Sequence, residues 1–249
     1  MLSDKRDGTN INAACGSTHL ENLIACVKEK KLDIGIAFDG DADRVLCVDG
    51  DGEVVDGDMI MAILALDMKA RDRLKNNTVV GTIMTNLGFI RFCEANDIRF
   101  AATKVGDRYV LEEMLLEDYV FGGEQSGHII FKDFATTGDG QLSAVQLLAH
   151  IHRSGKKLAE LKTVMTKYPQ LIVNIRTTDA AKLAFYTDDD VRAILDEGKE
   201  KLGSHGRLVV RPSGTEPLIR IMAEGEDEAF TEAIAKQVAE RIEEKLKVY

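Results

Sequence analysis

Few cysteines, no repeats and no long apolar run mark this 249-residue sequence. The four cysteines stand at 15, 26, 47 and 93, and no two have C-x-x-C spacing. That spacing argues against a zinc knuckle or a thioredoxin motif. Cys26, Cys47 and Cys93 lie in apolar patterns and read as buried thiols, which fits a reducing, cytoplasmic setting. The most apolar run, Met59 to Leu66, is too short to span a bilayer. The polar opening MLSDKRDGTN is not a signal peptide. Basic residues are in deficit: 32 Lys and Arg stand against 42 Asp and Glu, a net charge of −10. This argues against a nucleic-acid-binding face, although a local Arg cluster can still take a small anion. His19, His150, His152 and His205 have no metal-ligand company and read as surface or structural residues.

What the sequence does hold is organised around Asp39-Gly40-Asp41-Ala42-Asp43-Arg44, between the apolar runs Ile34–Phe38 and Val45–Val48. In an extended segment alternate side chains share a face, so Asp39, Asp41 and Asp43 crowd together. Such carboxylates repel one another unless a hard cation, best Mg²⁺, sits among them. Arg44 adds a planar fork for phosphate or carboxylate. A Gly-rich acidic turn is the alternative, and spacing alone leaves both open. An EF-hand is excluded, because its sixth position is Arg44 and its twelfth is Gly50. Asp49-Gly50-Asp51-Gly52 reads as a hairpin turn rather than a second ion site.

Along the chain, helical spacing runs from Leu20 to Lys31, then from Met59 to about Leu74, with strands at Val79–Met84 and Ile98–Thr103. Asn86 is placed to cap a helix ending near Asn96, and another helix ends near Leu116. This alternation of strand and helix predicts a parallel α/β sheet, whose ligands lie beyond the carboxyl ends of its strands. Tyr119–Phe121 and Ile129–Phe131 read as short strands, followed by helices to about Ile151 and from Leu158 to about Lys167. Pro169 marks a linker near 167–170. The remainder reads β-α-β-β-α, a compact small domain, with its first helix capped at Thr187 and its last running from about Asp227 to Lys247.

Three further loops carry polar chemistry. Lys104-Val105-Gly106-Asp107-Arg108 heads a helix, where N–H groups and Arg108 favour an anion, or where Asp107 is a plain N-cap. Gly122-Gly123-Glu124-Gln125-Ser126-Gly127-His128 offers Glu124 and Ser126 for hydroxyl groups and His128 as an acid or base. It is not a nucleophile elbow, since Gly127 follows Ser126 directly. Arg211-Pro212-Ser213-Gly214-Thr215-Glu216-Pro217, with Arg220 beyond it, is either a phosphate cradle or a hairpin turn whose hydroxyls bond the backbone.

In this order the loops resemble the α-D-phosphohexomutase superfamily, and within it the bacterial phosphoglucosamine mutases. The resemblance rests on Asn10-Ile11-Asn12 with Cys15-Gly16-Ser17-Thr18-His19, DGDADR at 39–44, TKVGDRYVLEEM at 103–114, GGEQSGHIIF at 122–131 and RPSGTEPLIR at 211–220. It implies a mixed α/β fold in three parts: the end of domain two (1–55), domain three (56–168), and a small TATA-box-binding-protein-like domain four (169–249). It implies interconversion of glucosamine 6-phosphate and glucosamine 1-phosphate through a phosphoserine and a 1,6-bisphosphate, in cell-wall precursor synthesis. Carried over, Asp39, Asp41 and Asp43 hold Mg²⁺. Arg44, Lys104 and His128 serve the transfer itself. Asp107, Arg108, Glu124 and Ser126 hold the sugar, and Arg211, Ser213, Gly214, Thr215 and Arg220 hold the phosphate that does not react. The last domain is expected to swing over the cleft. Expected partners are sugar phosphates, with neither nucleic acid nor membrane, and a homodimer is left open for a full-length enzyme. The family's Ser-His-Asn-Pro run is absent from residues 1–249, so the chain is expected to be a C-terminal portion that is inactive alone. A phosphoglucomutase/phosphomannomutase specificity, or a sugar-phosphate-binding module without catalysis, are the alternatives.

Overall fold

The structure, a computed structural model, describes residues 2, 3, 7, 9–214 and 216–249. The chain divides between Thr166 and Lys167 into two compact units.

The first unit opens with helix α1 (Glu21–Lys30), whose Leu23 and Val27 lie against Gly35, with no room there for a Cβ. Strands β1 (Ile34–Phe38), β2 (Val45–Asp49) and β3 (Val54–Val55) form an antiparallel sheet in the order β1-β2-β3. Phe38 pairs with Val45, so residues 39–44 are the loop of a hairpin. Asp49 is fully buried at the next turn. It accepts the Asp51 and Glu53 N–H groups at 3.0 and 2.9 Å, and Lys162 Nζ lies 2.5 Å from its other oxygen. Burial works to raise its pKa, but the Lys162 ammonium and those N–H groups outweigh burial and lower it. Asp49 is thereby a turn former, as its Asp-Gly setting implies.

Helix α2 (Gly57–Ala70) is capped by Asp56, which accepts the Met59 N–H at 3.1 Å. It is buried on nearly every side over its first half, which accounts for the apolar run there. Burying Ile60, Met61, Ile63 and Leu64 stabilises the unit by roughly 1.5–3 kcal/mol each. The helix ends at Ala70, short of the expected Leu74, because the chain turns at Asp72 with φ of 55°. Next come β4 (Thr78–Thr82), α3 (Leu87–Ala95), β5 (Arg99–Thr103), α4 (Asp107–Leu116), β6 (Phe121–Gly123) and β7 (Ile129–Phe131). Their sheet order is β5-β4-β6-β7, with the first three parallel and β7 antiparallel to β6. The expected parallel sheet is therefore mixed, since the short loop after β6 can only return antiparallel. Asn86 caps α3 as the sequence predicts, through the Gly88 N–H at 2.9 Å. The main core lies among α2, α3, helix α5 (Gly140–Ser154) and both sheets, while Val80, Val110, Met114, Tyr119 and Ile130 form a second cluster on α4. Helix α6 (Leu158–Leu161) passes into a 3₁₀ turn at Lys162–Val164, so the helix expected to reach Lys167 is shorter.

The second unit is a three-stranded antiparallel sheet, β8 (Gln170–Arg176), β10 (Leu218–Gly225) and β9 (Gly206–Pro212), with β10 central. Helices α8 (Asp189–Leu202) and α9 (Glu228–Leu246) pack on it. One helix was missing from the expected β-α-β-β-α order: α7 (Asp179–Thr187), capped by Thr178 through the Ala181 N–H at 3.1 Å. Asp188, not Thr187, caps α8. Among the described residues no helix is long and apolar enough to cross a membrane.

All four thiols are free, and burial pushes Cys47 and Cys93 up to about 12. Cys26 is only half-buried, unlike the expectation, because it sits at the margin of the face that α1 turns inward. A thiol reagent is expected to label Cys15 and Cys26 in the native chain and to reach Cys47 and Cys93 only after unfolding. Rapid native labelling of Cys47, read by peptide mass mapping, would contradict this burial.

Candidate functional site

The acidic loop gathers its carboxylates by folding back, not by strand alternation. Ala42 takes φ of 60°, its N–H donates to the Asp39 carbonyl at 3.2 Å, and Asp39 Oδ1 accepts the Arg44 N–H at 3.1 Å. One oxygen from each of Asp39, Asp41 and Asp43 then falls within 4.8 Å of the others. The expected extended run is thus corrected to a hairpin loop, and the juxtaposition of carboxylates stands. Burial and the neighbouring Asp39 and Asp41 carboxylates raise the Asp43 pKa. Arg44 Nε answers part of that charge, at 3.9 Å from Asp39 and 3.8 Å from Asp43. Three converging hard oxygens with uncompensated negative charge fit a divalent cation of the Mg²⁺ type.

Two other segments hold this loop. Arg44 pairs with His128 in an isolated antiparallel bridge, and the Val45 N–H donates to the Gly127 carbonyl at 3.1 Å. The Gly140 N–H donates to the Ala42 carbonyl at 2.9 Å, and the Gly57 N–H to the Gln125 carbonyl at 3.0 Å. These approaches need bare backbone. A Cβ on Gly127 would overlap the Val45 carbonyl, one on Gly57 the Glu124 carbonyl, and one on Gly140 would lie 2.5 Å from the Arg44 oxygen. Such glycines, and the Thr136–Gly140 segment that reads in sequence only as a helix opening, are site components that side-chain chemistry does not reveal. Their signal was glycine density beside the polar loops.

The remaining predicted residues of this unit follow the carboxyl ends of parallel strands, as such sheets dictate. Lys104 follows β5, and the 122–128 loop leaves β6. Gly106, at φ of 128°, is the cap position of α4, so Asp107 is the first helical residue and makes no capping bond. Glu124 is half-buried and its Oε1 accepts the Gly106 N–H at 3.1 Å, tying the two loops together. Ser126 is exposed. Lys104 is exposed with its Nζ 5.8 Å from the Tyr109 ring centre, and Arg108 turns outward to Glu112 at 2.7 Å. His128 is 3% exposed. Its Nε2 accepts the Gly138 N–H at 3.1 Å and lies 3.6 Å from Asp43 Oδ2.

In the second unit, Arg211 and Arg220 are directly opposed across β9 and β10. Facing like charges destabilise a strand pair unless an anion joins them. Glu216 pairs with Arg220, whereas Arg211 has no carboxylate partner among the described residues. Arg220 Nε is buried and also lacks a hydrogen-bond partner among them. Ser213 is buried, its hydroxyl accepting the Glu216 N–H at 3.2 Å, and Gly214 is exposed. Thr215 lies outside the described residues. The sequence's one Ser-His pair, Ser204-His205, precedes β9 and is followed by Gly206, not Asn-Pro.

A carboxylate trio at the strand ends of a mixed α/β unit, with an Arg-lined hairpin loop in a small second unit, describes part of the domain set of a phosphohexose mutase. Models of the phosphoglucomutase/phosphomannomutase family match nearly end to end: alpha/beta/alpha domain II over residues 7–52, alpha/beta/alpha domain III over 56–168 and the C-terminal domain over 172–241. The chain belongs to this family. It is 51% identical over 239 residues to the phosphoglucosamine mutase of Caldanaerobacter subterraneus subsp. tengcongensis, covering 96% of this chain and 54% of that one. The phosphoglucosamine mutase of Ruminiclostridium cellulolyticum is 50% identical, with 99% and 55% covered. The chain thus spans about half the length of the curated relatives it matches. Aspergillus fumigatus N-acetylphosphoglucosamine mutase, solved in complex with GlcNAc-6P and magnesium, shares the fold with a TM-score of 0.72 at 19% identity, over 94% of this chain and 53% of that one.

Proposed function

We propose that this chain is the metal-, sugar- and phosphate-holding portion of a phosphoglucosamine mutase. Residues 1–55 would be the end of domain two, 56–168 domain three and 169–249 domain four. The observation that carries this reading is the trio Asp39, Asp41 and Asp43, with ligand oxygens within 4.8 Å and with Arg44 alongside. The names and the identity of the bacterial relatives support glucosamine phosphate as the substrate.

In this reading Asp39, Asp41 and Asp43 hold Mg²⁺, which supplies charge neutralisation at a transferring phosphoryl group. Arg44 sets a guanidinium beside the same charge. Glu124 and Ser126 accept and donate hydrogen bonds to sugar hydroxyls. Lys104, exposed at the end of β5, serves proton transfer and, with Asp107 and Arg108, positions the sugar phosphate. Arg211 and Arg220, with Ser213, Gly214 and Thr215, bind the phosphate that does not react, where two planar forks outperform lone point charges. No Ser-His-Asn-Pro run occurs in residues 1–249, so the phosphoryl donor is not among them.

The 249-residue chain is therefore expected to bind glucosamine 6-phosphate without converting it. An assay with glucosamine 6-phosphate, Mg²⁺ and a 1,6-bisphosphate activator should show no product, and turnover clearly above background would overturn the reading. In calorimetry with the same sugar phosphate, Arg211→Ala is expected to weaken binding about tenfold, the order of one charge-assisted contact.

A further inference from the structure

The sheet of the second unit turns Ile175, Ile219, Ile221 and Leu208 toward the helices that pack on it, so the alternate positions of each strand line its other face. On that face three cross-strand rows run from β8 through β10 to β9. Gln170, Glu224 and Arg207 form the first, where the carboxylate and the guanidinium answer each other. Ile172, Met222 and Val209 form the second, which is apolar. Asn174, Arg220 and Arg211 form the third, nearest the 211–217 loop. Arg176 stands one step nearer still, opposite Leu218, and the Thr177 N–H beyond it donates to the Pro217 carbonyl at 2.9 Å. Edge strand β8 is therefore paired up to the end of that loop.

Unlike the first row, this end of the face leaves its positive charge open. Glu216 answers Arg220, but no carboxylate among the described residues pairs with Arg211 or Arg176, and Arg220 Nε is buried without a hydrogen-bond partner among them. Asn174 and Arg176 are both exposed. Directly opposed residues have Cβ atoms about 4.5–5.5 Å apart and diagonal neighbours about 7–8 Å, within reach of long side chains. An anion seated between Arg211 and Arg220 is thus beside the Asn174 amide and one diagonal from Arg176. We infer that β8 belongs to this anion site: Asn174 donates its amide to a phosphate oxygen, and Arg176 supplies a third positive charge. The inference rests on the function proposed above, in which Arg211 and Arg220 hold the phosphate. The two residues act differently. Asn174 works through one hydrogen bond in the row, whereas Arg176, a diagonal away and open to water, works through its charge, which a lysine also carries.

Calorimetry with glucosamine 6-phosphate and phosphorus NMR titration with inorganic phosphate, both on the 249-residue chain, test this. Arg176→Gln is expected to weaken both ligands about three- to tenfold, the scale of one charge at this distance near water, and Arg176→Lys to stay within about twofold. Affinity should also fall less steeply with added salt in Arg176→Gln than in the unmutated chain, because one screened attraction is gone. Asn174→Leu is expected to weaken both ligands about tenfold, the scale of one hydrogen bond to a charged group, with the salt response unchanged. Urea midpoints of these variants should match that of the unmutated chain, since both side chains are exposed on an edge strand. Either residue is struck from the site if its neutral variant binds both ligands as the unmutated chain does, whether or not its midpoint moves. A loss confined to glucosamine 6-phosphate overturns the assignment to the phosphate. Arg211→Ala separates this inference from the reading beneath it. If that variant binds phosphate unchanged, or the unmutated chain binds neither ligand, the phosphate role in the proposed function fails and this inference with it. If Arg211→Ala weakens phosphate binding while the β8 variants leave it intact, only the present inference fails.

Discussion

Glu224→Ala is expected to cost the second unit about 3–5 kcal/mol, the range for breaking a buried ion pair from one side. Glu224 is fully buried on the central strand β10. Its strand partners are Gln170 on β8 and Arg207 on β9, so one polar row crosses the whole sheet. Oε1 accepts from Gln170 Nε2 at 2.9 Å and Oε2 from Arg207 Nε at 3.0 Å. Alanine removes the carboxylate from that row and takes the Glu224 ion pair away from the Arg207 guanidinium, whose side chain is only 20% exposed. Glu224→Gln keeps an acceptor and is expected to cost less, on the order of 1–3 kcal/mol. Urea unfolding monitored by circular dichroism on both variants checks the pair. A loss below about 1 kcal/mol for Glu224→Ala would mean that the row is not a structural anchor. The same row stands in the sheet that displays Arg211 and Arg220, so phosphate binding should fall with folding and not before it.

Gly127→Ala should have the second large effect, and it should reach the acidic loop. Gly127 adopts φ of 93°, a region where an L-residue costs roughly 1–2 kcal/mol. A Cβ there would also overlap the Val45 carbonyl, and the Val45 N–H bond to the Gly127 oxygen would have to open. Strain and steric displacement together place the loss near about 3 kcal/mol. Because Val45 follows Arg44 directly, the loop can relieve the overlap only by moving away from residues 122–128. Mn²⁺ affinity of the variant is accordingly expected to drop roughly tenfold or more, the scale of a displaced metal support. Gly155→Ala is the control: φ is 67°, but nothing lies within 4 Å of its Cβ. It should cost about 1 kcal/mol and leave Mn²⁺ binding unchanged. Equal effects of the two substitutions would show that backbone conformation, not the close approach to Val45, is what Gly127 supplies.

Much of this was legible in the residues. Local chemistry wrote the caps at Asn86, Asp139 and Asp227, because a short polar side chain before an apolar periodic run satisfies the first free N–H groups of a helix. It wrote the hairpin at Asp49 and the break near Pro169. Helix α7 was also written there, in Thr178 and Asp179 ahead of Ala180 and Ala181, but its nine residues lie between two stronger signals. The reversal of β7 and the early end of α2 were harder to read, since both depend on where the chain meets its neighbours.

Sequence by itself determined that Asp39, Asp41 and Asp43 are close and that Arg211 and Arg220 flank one turn. Spacing decides such things, because residues two apart cannot separate far and a short hairpin loop must bring its strands together. Tertiary structure alone decided how these groups are used. It folded the acidic loop back at Ala42, set Glu124 against Gly106, and brought His128 Nε2 to 3.6 Å from Asp43. Those contacts join segments far apart along the chain, through bare glycine backbone at 127, 138 and 140. Local spacing carries no information about such approaches, because they depend on the room left when distant segments pack.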